Sequence, residues 1–226
     1  MIQKYAAALA SILALCSAVP STAVSTATRA PDPMTVIKTG LDEVIALFNN
    51  QKLPLAQRRE RLRSMSLQYF DFDSMAKSVL GYHWRELSAT QRSEFVPLFT
   101  EFIQDAYLSK LEEGTVEKIR EAAKTADVRF LKQTYLAPEY AKVFTTVAWQ
   151  DHRDPLEVDY LMHKDAGQWR VYDVTIESIS LIANYRNQFN RIINSQGYPK
   201  LIEDLKAKRE QLRRYMNQEA STSGSH

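Results

Sequence analysis

The sequence predicts an α+β fold: helices first, a curved four-stranded antiparallel sheet next, helices last. Three observations carry this. From Thr35 to about residue 112 the apolar residues recur at helical spacing, from 127 to 178 they alternate with period two, and from 179 the helical spacing returns. The strand-like stretches are joined by "AP", "QDHRD" and "DAG", connections so short that neighbouring strands must run antiparallel. Between Gln168 and Gln196 there is no Gly or Pro, so the last strand passes directly into a helix.

The N-terminus reads as a secretory signal. Lys4 precedes the apolar run "YAAALASILALCSAV", which is short for a membrane span. Cleavage is expected after Ala18, Ala23 or Ala30, and residues 19–33 form a Ser/Thr/Ala/Pro-rich leader. Cys16, the single cysteine, lies in this segment; Leu15 is too bulky for the position before a lipoprotein cysteine. The mature chain therefore has no disulfide, thiol nucleophile or cysteine metal site. The expected location is the bacterial periplasm. Residues 1–30 contain Lys4 and Arg29 but no acid, so the remaining charges balance. A balanced surface argues against nucleic-acid binding.

Along the chain, Val36, Ile37, Leu41, Val44, Ile45 and Phe48 mark a first helix, and Pro54 starts a second, whose basic side is expected to be a solvated face. In "FDFDSMAKSVLG", Asp71 or Asp73 caps a short helix and Gly81 ends it. Ser88 and Gln91 have capping-box spacing and open the longest helix, at about 89–112. Pro97 should kink or divide it, and Gly114 should end it. The strands are expected at 127–136, 139–149, 155–164 and 168–178, and the last helices at 179–194 and 199–217, followed by a disordered tail at 218–226. One domain should span 31–217.

On the strands, Val143, Thr145, Val147 and Trp149 share one face, as do Leu156, Val158, Tyr160 and Met162. Trp169 and Val171 should oppose Tyr172, Val174 and Ile176. The long helix adds an aromatic stripe. Periodicity leaves open whether these residues fill a core or line a cavity. Phosphate-binding Gly-rich loops, HExxH and GxSxG are absent, and His83, His152 and His163 lack metal-ligand spacing. No metal is expected. Asp173 and Glu177 are the best acid/base candidates, but with Arg186 they bracket the strand-to-helix junction, where a structural clamp is the stronger reading.

Two blocks carry a family resemblance: "FDFDSMAKSVLGYHWRELSATQRSEFVPLFTEFIQDAYLSKL" (70–111) and "WRVYDVTIESISLIANYRNQFNRIINSQGYPKLIEDLKAK" (169–208). Together they resemble the MlaC family of periplasmic phospholipid-binding proteins, also called the toluene-tolerance auxiliary family. Ser178 stands where that family usually has Gly. The resemblance implies a shell of sheet and helices enclosing an apolar acyl-chain pocket. It implies a shuttle between an outer-membrane lipoprotein–porin complex (MlaA-like) and an inner-membrane ABC transporter bearing an MCE-domain protein (MlaD-like), maintaining outer-membrane lipid asymmetry. It implies no catalysis and no cofactor, only bound phospholipid as cargo. The pocket candidates are then Phe99, Phe102, Ile103 and Tyr107 on the long helix, with Val147, Trp149, Val158, Tyr160, Met162, Tyr172 and Val174 on the sheet. The alternatives are a periplasmic adaptor without lipid, and a small acid/base enzyme using Asp173 or Glu177.

Overall fold

A computed structural model describes residues 31–111, 113–125, 127–148 and 154–223. The signal segment with Cys16, as well as Trp149 and His152, lies outside the described residues.

The helices are α1 (Pro33–Asn49), α2 (Leu55–Tyr69), α3 (Phe72–Leu80), α4 (His83–Glu86), α5 (Ala89–Leu108), α6 (Glu113–Thr125), α7 (Leu181–Gln196) and α8 (Tyr198–Ser223). Their starts follow local chemistry. Asp32 accepts the Thr35 N–H at 3.1 Å, and Asp71 accepts that of Ser74 at 2.9 Å. At α5 the capping box is complete: Ser88 Oγ accepts the Gln91 N–H at 3.2 Å, and Gln91 Oε1 accepts the Ser88 N–H at 2.9 Å. Gly81 ends α3 at φ +57°, a conformation that favours glycine.

Several boundaries differ from expectation. Pro97 does not divide α5, which is continuous through it. Gly114 does not end a helix; it lies near the start of α6, whose Val116 and Ile119 are buried at helical spacing. The tail expected to be disordered from 218 is helical to Ser223.

The sheet comprises β1 (Asp127–Ala137), β2 (Tyr140–Ala148), β3 (Leu156–Asp165), β4 (Gln168–Ile176) and the two-residue β5 (Ile179–Ser180), in the order β1-β2-β3-β4-β5. The four expected strands are present, and their pairings are antiparallel. The fifth follows a turn that the sequence hides. Glu177 and Ser178 have φ +48° and +63°, so two non-glycine residues make the left-handed reversal for which glycine is normally used.

The elements group into two compact units, each assembled from separated stretches of chain. Among the described residues, the sheet unit takes those of 31–51 and 117–178, and the helical unit those of 52–116 and 179–223. In the sheet unit, α1 packs on β1 and β2. The Met34 N–H bonds Gln133 Oε1 at 2.9 Å, and Lys38 Nζ sits 5.6 Å from the centre of the Phe130 ring. The core of the helical unit joins Met75, Val79 and Leu80 of α3 to Phe95 and Phe99 of α5, Phe189 of α7 and Leu201 of α8.

Candidate functional site

Strand register shows which sheet residues share a face, because directly paired residues point the same way. Val143 pairs with Tyr160, and Tyr160 with Val174; Thr145 pairs with Val158, and Val158 with Ile176; Val147 pairs with Leu156. Met162 lies between Ala141 and Val171. Val143, Val147, Val158 and Met162 are fully buried, and Tyr160 and Val174 nearly so. Five of the sheet candidates, Val147, Val158, Tyr160, Met162 and Val174, thus come together on one aliphatic face.

Tyr172 does not join them. Leu161 pairs with Asp173 and Met162 with Val171, which leaves Tyr172 as the extra residue of a bulge. Beyond the bulge the alternation shifts by one, so Val171 and Val174 lie on the same face instead of opposing faces. The Tyr172 ring meets those of Tyr140 at 6.1 Å and His163 at 5.9 Å, in a cluster away from the aliphatic row. Simple alternation placed Tyr172 with Val174 because a bulge leaves no mark in a period-two pattern.

The aliphatic face carries few polar side chains, and they differ in how they are satisfied. Thr145 Oγ1 donates to the Val158 carbonyl at 2.6 Å. The Tyr160 hydroxyl is buried and, among the described residues, has no hydrogen-bond partner. Desolvation pushes its pKa well above the usual tyrosine value.

The α5 candidates lie in the helical unit. Phe99 is fully buried, stacked on Phe95 at 5.8 Å and edge-on to Phe189 at 6.3 Å. It fills that unit's own core. Phe102 meets Tyr185 edge-on at 5.7 Å, and Ile103 belongs to the same cluster. Tyr107 is half-buried against it, with Lys110 Nζ 4.8 Å from its ring centre; burial first, then Tyr185, raises its hydroxyl pKa.

Arg186 Nε donates to the Ser78 carbonyl at 2.7 Å, tying α7 to one of the last carbonyls of α3. Glu177 Oε1 accepts the Glu157 N–H at 2.8 Å, and the Glu177 N–H donates to the Glu157 carbonyl at 3.0 Å, so its carboxylate holds the start of β3. Asp173 is buried in β4. Arg186 and Glu177 therefore act through backbone groups at different places rather than through one another.

The helical unit also holds an ionic network that the sequence reading does not include. Asp105, fully buried, receives Arg63 at 2.6 Å and Arg213 at 3.0 Å, while Glu101 receives Arg209 at 2.7 Å. Arg59, also buried, donates to the Leu111 carbonyl. The basic side of α2 is thus engaged rather than simply solvated. A groove of about 710 Å³ runs over it, lined by Arg59, Arg63, Leu67, Thr100, Gln104 and Arg213 among others. The sequence signal was "QDAYL", an acid inside an apolar stripe.

Among the described residues no group of three or more His, Cys, Asp or Glu is placed to hold a metal, and no helix is long and apolar enough to cross a membrane.

These features define an α+β protein with an aliphatic sheet face in one unit and an aromatic core in the other. The MlaC protein family model matches residues 38–207, and the chain belongs to that family. It is 23% identical over 186 residues to the intermembrane phospholipid transport system binding protein MlaC of Haemophilus influenzae, covering 78% of this chain and 82% of that one. The fold is shared with a phospholipid-binding protein from Ralstonia solanacearum, solved in complex with a phospholipid. There the TM-score is 0.66 at 21% identity, covering 81% of this chain and 99% of that one.

Proposed function

We propose that this protein is a periplasmic phospholipid carrier with no catalysis of its own. Membership of the MlaC family over residues 38–207 is the observation that carries the reading. The names of its relatives support it: one is the binding protein of an intermembrane phospholipid transport system, and another holds a phospholipid. The aliphatic sheet face supplies suitable chemistry. Burying an acyl chain yields about 0.8 kcal/mol per methylene, so two chains of about 15 methylenes amount to about 24 kcal/mol relative to water. A bilayer offers a similar gain. Transfer from bilayer to an apolar site is therefore close to neutral, whereas an unprotected lipid faces the full cost in water.

In this reading residues 1–30 direct export, and the rest of the chain shuttles lipid between an outer-membrane lipoprotein–porin complex and an MCE-domain protein of an inner-membrane ABC transporter. The ATP-driven partner supplies direction. Val147, Val158, Tyr160, Met162 and Val174 form the sheet-side contact with cargo.

The test is detergent-free purification from a periplasm, then native mass spectrometry and lipid analysis of an organic extract. A stoichiometric phospholipid is the expected result. Protein that arrives empty and takes no lipid from vesicles would overturn the proposal.

A further inference from the structure

We propose that the Tyr160 hydroxyl is a hydrogen-bond donor to cargo, and that it selects lipids whose chains are attached through ester carbonyls. This rests on the carrier reading and deepens it.

Tyr160 is 4% exposed, at the middle of β3, with Val143 and Val174 in register on either side. Its oxygen has no hydrogen-bond partner among the described residues. Leaving a buried hydroxyl unbonded is costly, and phenylalanine would fill a dry core at that position without the penalty. Thr145, one strand away on the same face, shows the ordinary solution: its hydroxyl bonds a backbone carbonyl.

The missing partner therefore comes with the cargo. It must be an acceptor that travels next to hydrocarbon. In a diacyl lipid the ester carbonyl oxygens join the chains to the glycerol, and they only accept hydrogen bonds. A phenol O–H meets that need. A dialkyl ether lipid with the same chains and headgroup lacks the carbonyls and would leave the donor unpaired. Sites built to bond a polar group discriminate against analogues without it.

The test compares the wild type with Tyr160→Phe, which removes one oxygen and preserves the ring. Both proteins are delipidated and equilibrated with vesicles containing ester-linked and ether-linked phosphatidylglycerol of identical chain length, and the bound lipids are counted by native mass spectrometry. The wild type should favour the ester lipid about fivefold or more, and Tyr160→Phe should take both equally. Lipid-free Tyr160→Phe should melt no lower than the wild type, since it loses no bond within the protein. The same ester-to-ether ratio in both proteins would overturn this proposal and leave the carrier reading intact, as would a lower melting temperature for lipid-free Tyr160→Phe. A wild type that binds neither lipid would overturn both.

Discussion

The two units bury apolar surface in different ways. In the helical unit aromatic rings meet one another: Phe95, Phe99 and Phe189 form a mutual set, with Tyr185 joining Phe102. Such a core is complete in itself. The sheet unit presents a row of valines and Met162 around a tyrosine whose hydroxyl lacks a partner among the described residues. An aromatic residue at helical spacing is thus not by itself a sign of a lipid pocket. The unsatisfied polar atom in an aliphatic setting is the more telling feature.

The contrast can be broken most severely at Phe99. Replacing it with alanine should cost about 3–5 kcal/mol of stability by denaturant unfolding, because the cavity lies between stacked rings. Lipid retention that collapses without such a loss would make Phe99 a cargo contact rather than core. Asp105→Asn should cost about 3 kcal/mol, since Arg63 and Arg213 lose the buried carboxylate between them. Unchanged stability would mean that the network is ornamental to the helical unit.

Smaller effects sharpen the picture at the strand-to-helix junction. Arg186→Ala removes a charged donor from the Ser78 carbonyl and should lower stability by about 1.5–3 kcal/mol. Equal melting temperatures would sink the tie between α7 and α3. Ser178→Gly should raise stability by about 0.5–1 kcal/mol, because glycine adopts φ +63° without the penalty that serine incurs there. A loss on that substitution would show that the serine side chain contributes more than its backbone strain costs.

Much of this was legible in the sequence. Period-two alternation locates all four long strands, Ser88 and Gln91 mark a helix start by capping chemistry alone, and the choice between Asp71 and Asp73 as the cap of α3 is made by the structure, for Asp71. What escaped notice depends on contacts distant in sequence or on single inserted residues. The bulge at Tyr172 reversed the face of one aromatic residue. The α6 helix is hidden because Gly114 reads as a stop, yet it lies at the start of the turn that buries Val116 and Ile119. The fate of Phe99 depended on Phe189, ninety positions away, whose ring has no signature in local periodicity. The partner of Arg186 is a backbone carbonyl, and carbonyls are invisible to any pattern of side chains.

The central claim is that cargo lies on the sheet's aliphatic face and not in the aromatic core of the helical unit. Loading the protein with a phospholipid bearing a photoreactive group on its acyl chain, then mapping the crosslinked residues by mass spectrometry, tests this directly. Adducts are expected on β2, β3 and β4 around Val143, Val158, Tyr160 and Val174. Adducts concentrated on Phe95, Phe99 or Phe189 would contradict it.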